Sequence, residues 1–243
     1  MTSFSRELGH IAGERHSSGP RRAGLHFLAM ALQESPPECP SFGDRRLSRG
    51  YVLSDHSDGH GAVRVVLDGV IKIVERDHDG RDLLLDVRCP GEVLGEVRTP
   101  REGPARERLV VAGQAEILSL CEPWLDAWLA RDAAAQQAAM RIMSSRIRQQ
   151  QERSCQLRFG TAMERVSAMI LDLDKRVGSG PEGYRNIPHG LSQLELAQLS
   201  AISRETYSRI AGDLTRRGVM EQSIRHITLF RPETLRYLTR HIA

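Results

Sequence analysis

Three side chains in the stretch SRETYSRI, residues 203–210, have the types and spacing to read base pairs. On a helix, Arg204 and Glu205 occupy the first turn and Arg209 lies one turn on, so all three share an outward face, with Ile210 and Leu214 pointing inward. A guanidinium grips O6 and N7 of guanine with two parallel hydrogen bonds, and a carboxylate accepts from the N4 amine of cytosine. A G·C-rich core is legible to such a face. Ser192, Ser203, Thr206 and Ser208 are suited to phosphate oxygens near helix N-termini. A second stretch, GEVLGEVRTPREGPARER from Gly91 to Arg108, sets arginines between glycines and prolines as an anion seat does. Glu107 puts a carboxylate beside Arg106 there.

The reading face needs rigid elements beneath it. Ser192 and Glu195 form a capping box that opens a short helix with Leu194, Leu196, Ala197 and Leu199 as its apolar positions. Ser203 caps a second helix, which Gly218 ends. Two helices joined by a tight turn are the helix-turn-helix pattern. VMEQSIRHITLF then reads as a hairpin wing and PETLRYLTRHI as a closing helix. Charge agrees with this placement: residues 185–243 carry nine Arg against five Asp or Glu, a net of +4, while the whole chain is +3. The last quarter is the part that suits a polyanion.

The rest of the chain has a different character. From Arg45 to Cys121 the pattern is β, with six to eight short antiparallel strands that suggest a closed roll or barrel. The Asp68-Gly69 and Asp79-Gly80 dipeptides are expected to turn hairpins. A long helix follows, Asp132 to Phe159, free of Pro and Gly. Its Met140, Met143, Ile147, Gln150, Ser154 and Leu157 recur at spacings of three and four, a heptad seam. The stripe either packs on the chain's own strands or pairs two copies, and its narrowness favours the dimer. Thr161 and Glu164 make another capping box, starting a helix whose stripe is Val166, Met169, Ile170, Leu173 and Val177; GSGPEGYRNIPHG reads as a loop.

SRETYSRI resembles the recognition-helix signature of the Crp/Fnr family of transcription regulators, and the order of parts from Arg45 onward is similar to that family's. The resemblance implies an α+β fold: an N-terminal antiparallel β-roll of the cyclic-nucleotide-binding kind, a long dimerisation helix and a C-terminal winged helix-turn-helix. With the Ser-, Gly-, Pro- and Arg-rich start read from its composition as a flexible arm (1–24), the chain divides further into a β-roll sensor domain (25–131), the dimerisation helix (132–159) and a DNA-binding domain (160–243). The resemblance puts Arg204, Glu205 and Arg209 on base-reading positions for a half-site of the TGTGA kind. The implied protein is a homodimer on double-stranded DNA with a roughly palindromic operator, in contact with RNA polymerase.

The resemblance also places Glu96 on the ribose-binding position of a cyclic-nucleotide cassette and Arg106 on the phosphate-binding one. Here the chain departs from the family. Glu107 would face the phosphate, and like charges about 4 Å apart repel by about 1 kcal/mol in water and by several times that when partly buried. Gln150 and Gln151 stand where cyclic AMP binders place a Thr-Ser pair. Three effector readings remain: cyclic AMP, another anionic or polar molecule, or none; Arg106 is expected to pair with Glu96 or Glu107 when the seat is empty. A further departure is Ala201, where the family often has Gly in the turn.

Other classes find less support. Cys39, Cys89, Cys121 and Cys155 are scattered, with no C-x-x-C pair, so neither zinc ribbon nor disulfide framework is expected and the thiols read as reduced. An iron-sulfur sensor needs clustered N-terminal cysteines, and Cys39 stands alone there. His56, His60, Asp55 and Asp58 fall in a Gly- and Asp-rich turn that reads as solvated loop, not metal site. No nucleophile elbow, P-loop or dinucleotide fingerprint appears, so the chain does not read as an enzyme and no cofactor is expected. With no run of eighteen apolar residues and no signal-peptide core, a cytoplasmic protein without membrane contact is the expectation. The rival class is a ligand-sensing module without specific DNA binding.

Overall fold

A computed structural model describes Phe27, Ala31 and residues 44–53, 63–95, 107–120 and 122–240. The N-terminal half is a six-stranded antiparallel sheet of β1 (Asp44–Leu47), β2 (Val52–Leu53), β3 (Val63–Arg76), β4 (Asp82–Arg88), β5 (Val93–Leu94) and β6 (Glu107–Leu120). Its order is β1-β6-β3-β4, with β2 on β6 and β5 on β3, which leaves β4 at an edge. The long strands β3 and β6 pair along most of their lengths, and register shifts after Val66, Gly69 and Ile73 mark where β3 bends. The curl closes over Leu47, Leu53, Val66, Ile71, Ile73, Leu94, Leu109, Val111, Ala115 and Ile117.

One turn expectation fails. Asp79-Gly80 does turn the β3–β4 hairpin, with Asp77 Oδ1 accepting from the Asp79 and Arg81 amides at 2.9 and 2.8 Å. Asp68-Gly69 instead lies inside β3. Gly69 has φ +81°, and a Cβ there would sit 2.1 Å from the Gln114 carbonyl oxygen, so the glycine serves a bulge where β6 crosses closely.

Helix α1 (Glu122–Arg131) leads into α2 (Ala133–Phe159), whose cap Asp132 accepts from the amides of Ala134 and Ala135 and from Trp128 Nε1. Ala135, Ala138 and Ile142 of α2 bury against Phe27, Val63, Val65, Val93, Leu118, Leu120, Leu125 and Trp128. Farther along the same face come Arg146, Gln149, Arg153 and Gln156, all half-buried. The helix thus packs on the roll through a stripe other than the heptad seam.

At Gly160 the chain breaks and Thr161 starts α3 (Ala162–Val177) through a complete capping box. Then come β7 (Arg185–Ile187), α4 (Gln193–Leu199), α5 (Arg204–Arg216), β8 (Met220–Gln222), β9 (Ile227–Leu229) and α6 (Pro232–Leu238). The stretch expected as loop contributes β7, which pairs with β9 and makes the wing three-stranded, in the order β7-β9-β8. Its three residues are too few for an alternation to show.

Candidate nucleic-acid interface

Helix α5 presents the face that its sequence promises. Tyr207, Ile210, Ala211 and Leu214 are buried, while Arg204, Glu205, Ser208 and Arg209 are exposed and Thr206 is half-buried. Ser203 caps the helix, its Oγ accepting from the Thr206 amide at 3.2 Å and bonding Thr206 Oγ1 at 3.1 Å. The Glu205 carboxyl is held below its ordinary pKa by its own backbone amide, then by Ser203 and Arg204, so it stays an acceptor. Buried Tyr207 donates to Gln222 Oε1 at 3.2 Å, tying α5 to β8 of the wing.

Helix α4 braces α5 from behind. The Ser192–Glu195 capping box is complete: Glu195 Oε2 accepts from the Ser192 amide and hydroxyl at 2.7 and 2.9 Å, and the Glu195 amide donates back to Ser192 Oγ at 3.3 Å. Leu196, Ala197 and Leu199 are buried, but Leu194 is exposed, against the sequence expectation, because it sits over the groove between α4, Arg204 and the wing. Ser192, Gln193, Leu194, Arg204, Gln222, Ser223 and Ile224 line that groove, so one concave surface joins α4, α5 and the wing tip. Between the helices Ala201 adopts φ +49°, the left-handed conformation that glycine takes without penalty. Among the described non-glycine residues it alone has positive φ.

The profile of the Crp-like helix-turn-helix domain matches residues 164–238, which span α3 to α6. Over 192 residues the chain is 27% identical to the "CRP-like cAMP-activated global transcriptional regulator" of Mycobacterium tuberculosis, covering 79% of this chain and 82% of that one. It is 29% identical over 194 residues to the "Cyclic AMP receptor protein" of Thermus thermophilus, covering 80% and 87%. The solved structure of FixK2 from Bradyrhizobium japonicum has the same fold, with a TM-score of 0.68, 20% identity and coverage of 81% and 96%. Residues 164–238 belong to the Crp-like helix-turn-helix family, and over about four fifths of its length the chain is similar to CRP/FNR-type transcription regulators.

Met140, Met143, Ile147, Gln150, Ser154 and Leu157 all lie on the exposed side of α2, Met140 being 66% and Ile147 60% exposed. Gln151 is exposed beside them. Gln150 and Leu157 also line a cleft between α2, α3 and β4. Glu96, Arg106 and the His56–His60 turn lie outside the described residues, as does the arm 1–24; Glu107 opens β6, and its side chain is also outside them. Cys89 is buried and its thiol is pushed up to about 12 by burial; Cys155 is exposed, and both are free thiols. Among the described residues no group of His, Cys, Asp and Glu could hold a metal, and no helix is long and apolar enough to cross a membrane.

The residues that join the roll to α2 and to the Crp-like helix-turn-helix carry no local sequence signal. Lys72 on β3 meets Glu195 at 2.7 Å. Arg176 on α3 reaches Glu92, and Arg153 on α2 reaches Asp86. Burial pushes the Asp86 carboxyl up, but Arg88, Arg176 and Arg153 outweigh it and leave the group below its ordinary value. Arg146 bonds the Val93 carbonyl, and burial beside Arg88 brings its guanidinium down to about 9. The partners stand 53 to 123 residues apart, and only the charge at Arg176, next to the apolar stripe of α3, could have drawn notice.

Proposed function

We propose that the regulator is a homodimer that reads a two-half-site operator in double-stranded DNA, with Arg204, Glu205 and Arg209 contacting base edges. The observation that carries the reading is the coincidence, in one chain, of an exposed Arg/Glu face on α5 with an exposed apolar seam on α2. Two copies joined along that seam would hold their reading helices in successive major grooves, about 34 Å apart. The amides at the start of α5, with Ser192, Ser203, Thr206 and Ser208 around them, would meet phosphates and set orientation without reading sequence.

In this reading the chain is organised as an N-terminal arm (1–24), a sensor (25–131), a dimerisation helix (132–159) and a DNA-binding domain (160–243). It works in the cytoplasm with RNA polymerase as a further partner. Its effector is a molecule other than cyclic AMP, or it has none, because Glu107, Gln150 and Gln151 replace the neutral and hydroxyl groups that a cyclic nucleotide would want. A second reading, cyclic-nucleotide control, is favoured by the names of the relatives from Mycobacterium tuberculosis and Thermus thermophilus. Titrating operator DNA with and without millimolar cyclic AMP separates the two. Unchanged affinity is expected, and a marked tightening would establish the second reading. Footprinting of the same complex should show two protected half-sites.

A further inference from the structure

The DNA-binding unit does not hang from the α2–α3 turn alone. Val70, Val74, Leu84, Val87, Cys89 and Ala112 of the roll share one apolar core with the unit's Ile187, Leu191, Leu196 and Leu199. Gly190 comes so close that a Cβ there would lie 3.1 Å from the Ala112 carbonyl carbon. Apolar contact is non-directional, so such a core holds two bodies together but tolerates their sliding.

The polar groups around that core do fix direction. Arg176 Nε and Nη2 meet Glu92 Oε1 and Oε2 at 3.0 and 2.8 Å, a two-pronged fork, and Nη2 also donates to the Val87 carbonyl at 2.6 Å. Nη1 bonds Asp172 at 2.9 Å, and Glu92 accepts in addition from the Cys89 amide at 3.1 Å. Arg176 is 6% and Glu92 4% exposed. A buried ion pair gains little net stability over an apolar pair of similar volume, because desolvation offsets the attraction. What a planar fork supplies is geometry.

Helix α4 is held in the same directional way. Gln198 accepts from the Leu84 amide at 3.1 Å and donates to the Asp82 carbonyl at 3.4 Å, using the free edge of β4 as a strand would. Glu195 is clamped by Lys72, and the Leu199 carbonyl accepts from Arg153 Nη2 at 3.1 Å. Three positions on one short helix are therefore bonded to β3, β4 and α2. Leu196 and Leu199 share a core with Tyr207, Ile210 and Leu214, so fixing α4 fixes α5.

We infer that Arg176, acting with Lys72, Arg153 and Gln198, sets the separation of the two reading helices and so determines which half-site spacing the regulator accepts. The inference rests on the homodimeric reading above. These are positioning residues, since none lies on the face offered to DNA.

The test uses full-length protein and symmetric duplexes carrying two TGTGA-type half-sites, with the spacer changed one base pair at a time. Each base pair moves one half-site by about 3.4 Å and turns it by about 34°. Wild type is expected to lose about tenfold or more in affinity per base pair away from the best spacer. Arg176→Gln, and independently the milder Lys72→Ala/Gln198→Ala double variant in case the first fails to fold, should flatten that profile to within about threefold while single half-site binding stays unchanged. A uniform loss of affinity that preserves the wild-type spacing profile overturns the inference. So does wild type that sediments as a dimer yet accepts all spacers alike. Wild type that sediments as a monomer removes the homodimeric reading first, and the inference with it.

Discussion

At Ala201 a methyl group sits on a backbone with φ +49°. A β-carbon in the left-handed region costs about 1–2 kcal/mol, partly offset because glycine adds freedom to the unfolded chain. Ala201→Gly is therefore expected to raise stability by up to about 1 kcal/mol, read as a shift in the urea midpoint at constant slope. A loss of stability would show that the turn tolerates the methyl without strain. Arg204→Ala should cost about 1–3 kcal/mol in binding to operator and much less on random duplex, because a fork on guanine reads sequence and a phosphate contact does not. Equal losses on both DNAs would make Arg204 a phosphate contact. Such residue-scale chemistry was legible because local bonds carry it: every cap predicted, at Thr161, Ser192 and Ser203, is formed within four residues of sequence.

Helix α2 shows where legibility ends at the scale of an element. Its seam was visible in the spacing from Met140 to Leu157, and that stripe is exposed in the structure. Its second stripe carries no such signal, because Arg146, Gln149, Arg153 and Gln156 look solvated in sequence; each is only partly buried, Arg146 and Arg153 bonding the roll and the two glutamines lining the cleft beside α3. Ile147→Asp puts a charge in the middle of the seam without touching the roll-facing side. Sedimentation should then show monomers at concentrations where wild type is dimeric, with the circular dichroism of the fold kept. Dimers of unchanged affinity would place the interface elsewhere. Asp68-Gly69 erred for a related reason: the dipeptide fixes a positive φ, but whether this makes a turn or a bulge depends on β6 forty-odd residues away.

At the scale of the molecule, the joint between roll and DNA-binding unit came from no sequence pattern, since its ion pairs link residues far apart in the chain. It carries a pH dependence of its own. Burial lowers the His189 imidazole to about 4; His226 adds repulsion and Glu195 offsets part of it. Nδ1 accepts from the Leu191 amide at 3.0 Å, and buried Nε2 has no hydrogen-bond partner among the described residues. With the folded value below the ordinary 6.5, the unfolded chain takes up the proton first. Stability is thus complete above pH 6.5 and falls, by an amount on the order of 3 kcal/mol, as pH drops toward about 4. Urea melts of wild type and His189→Gln between pH 7 and 4.5 should diverge, with the variant the flatter. Parallel curves would mean that the imidazole pays no burial penalty. The claim on which all scales converge is a two-fold reader of DNA, and selection of the purified regulator on random duplexes tests it most directly. A roughly palindromic motif with two G·C-containing half-sites about one helical turn apart is the expected result; a library that emerges unenriched, or enriched for an isolated half-site, would contradict a two-fold reader.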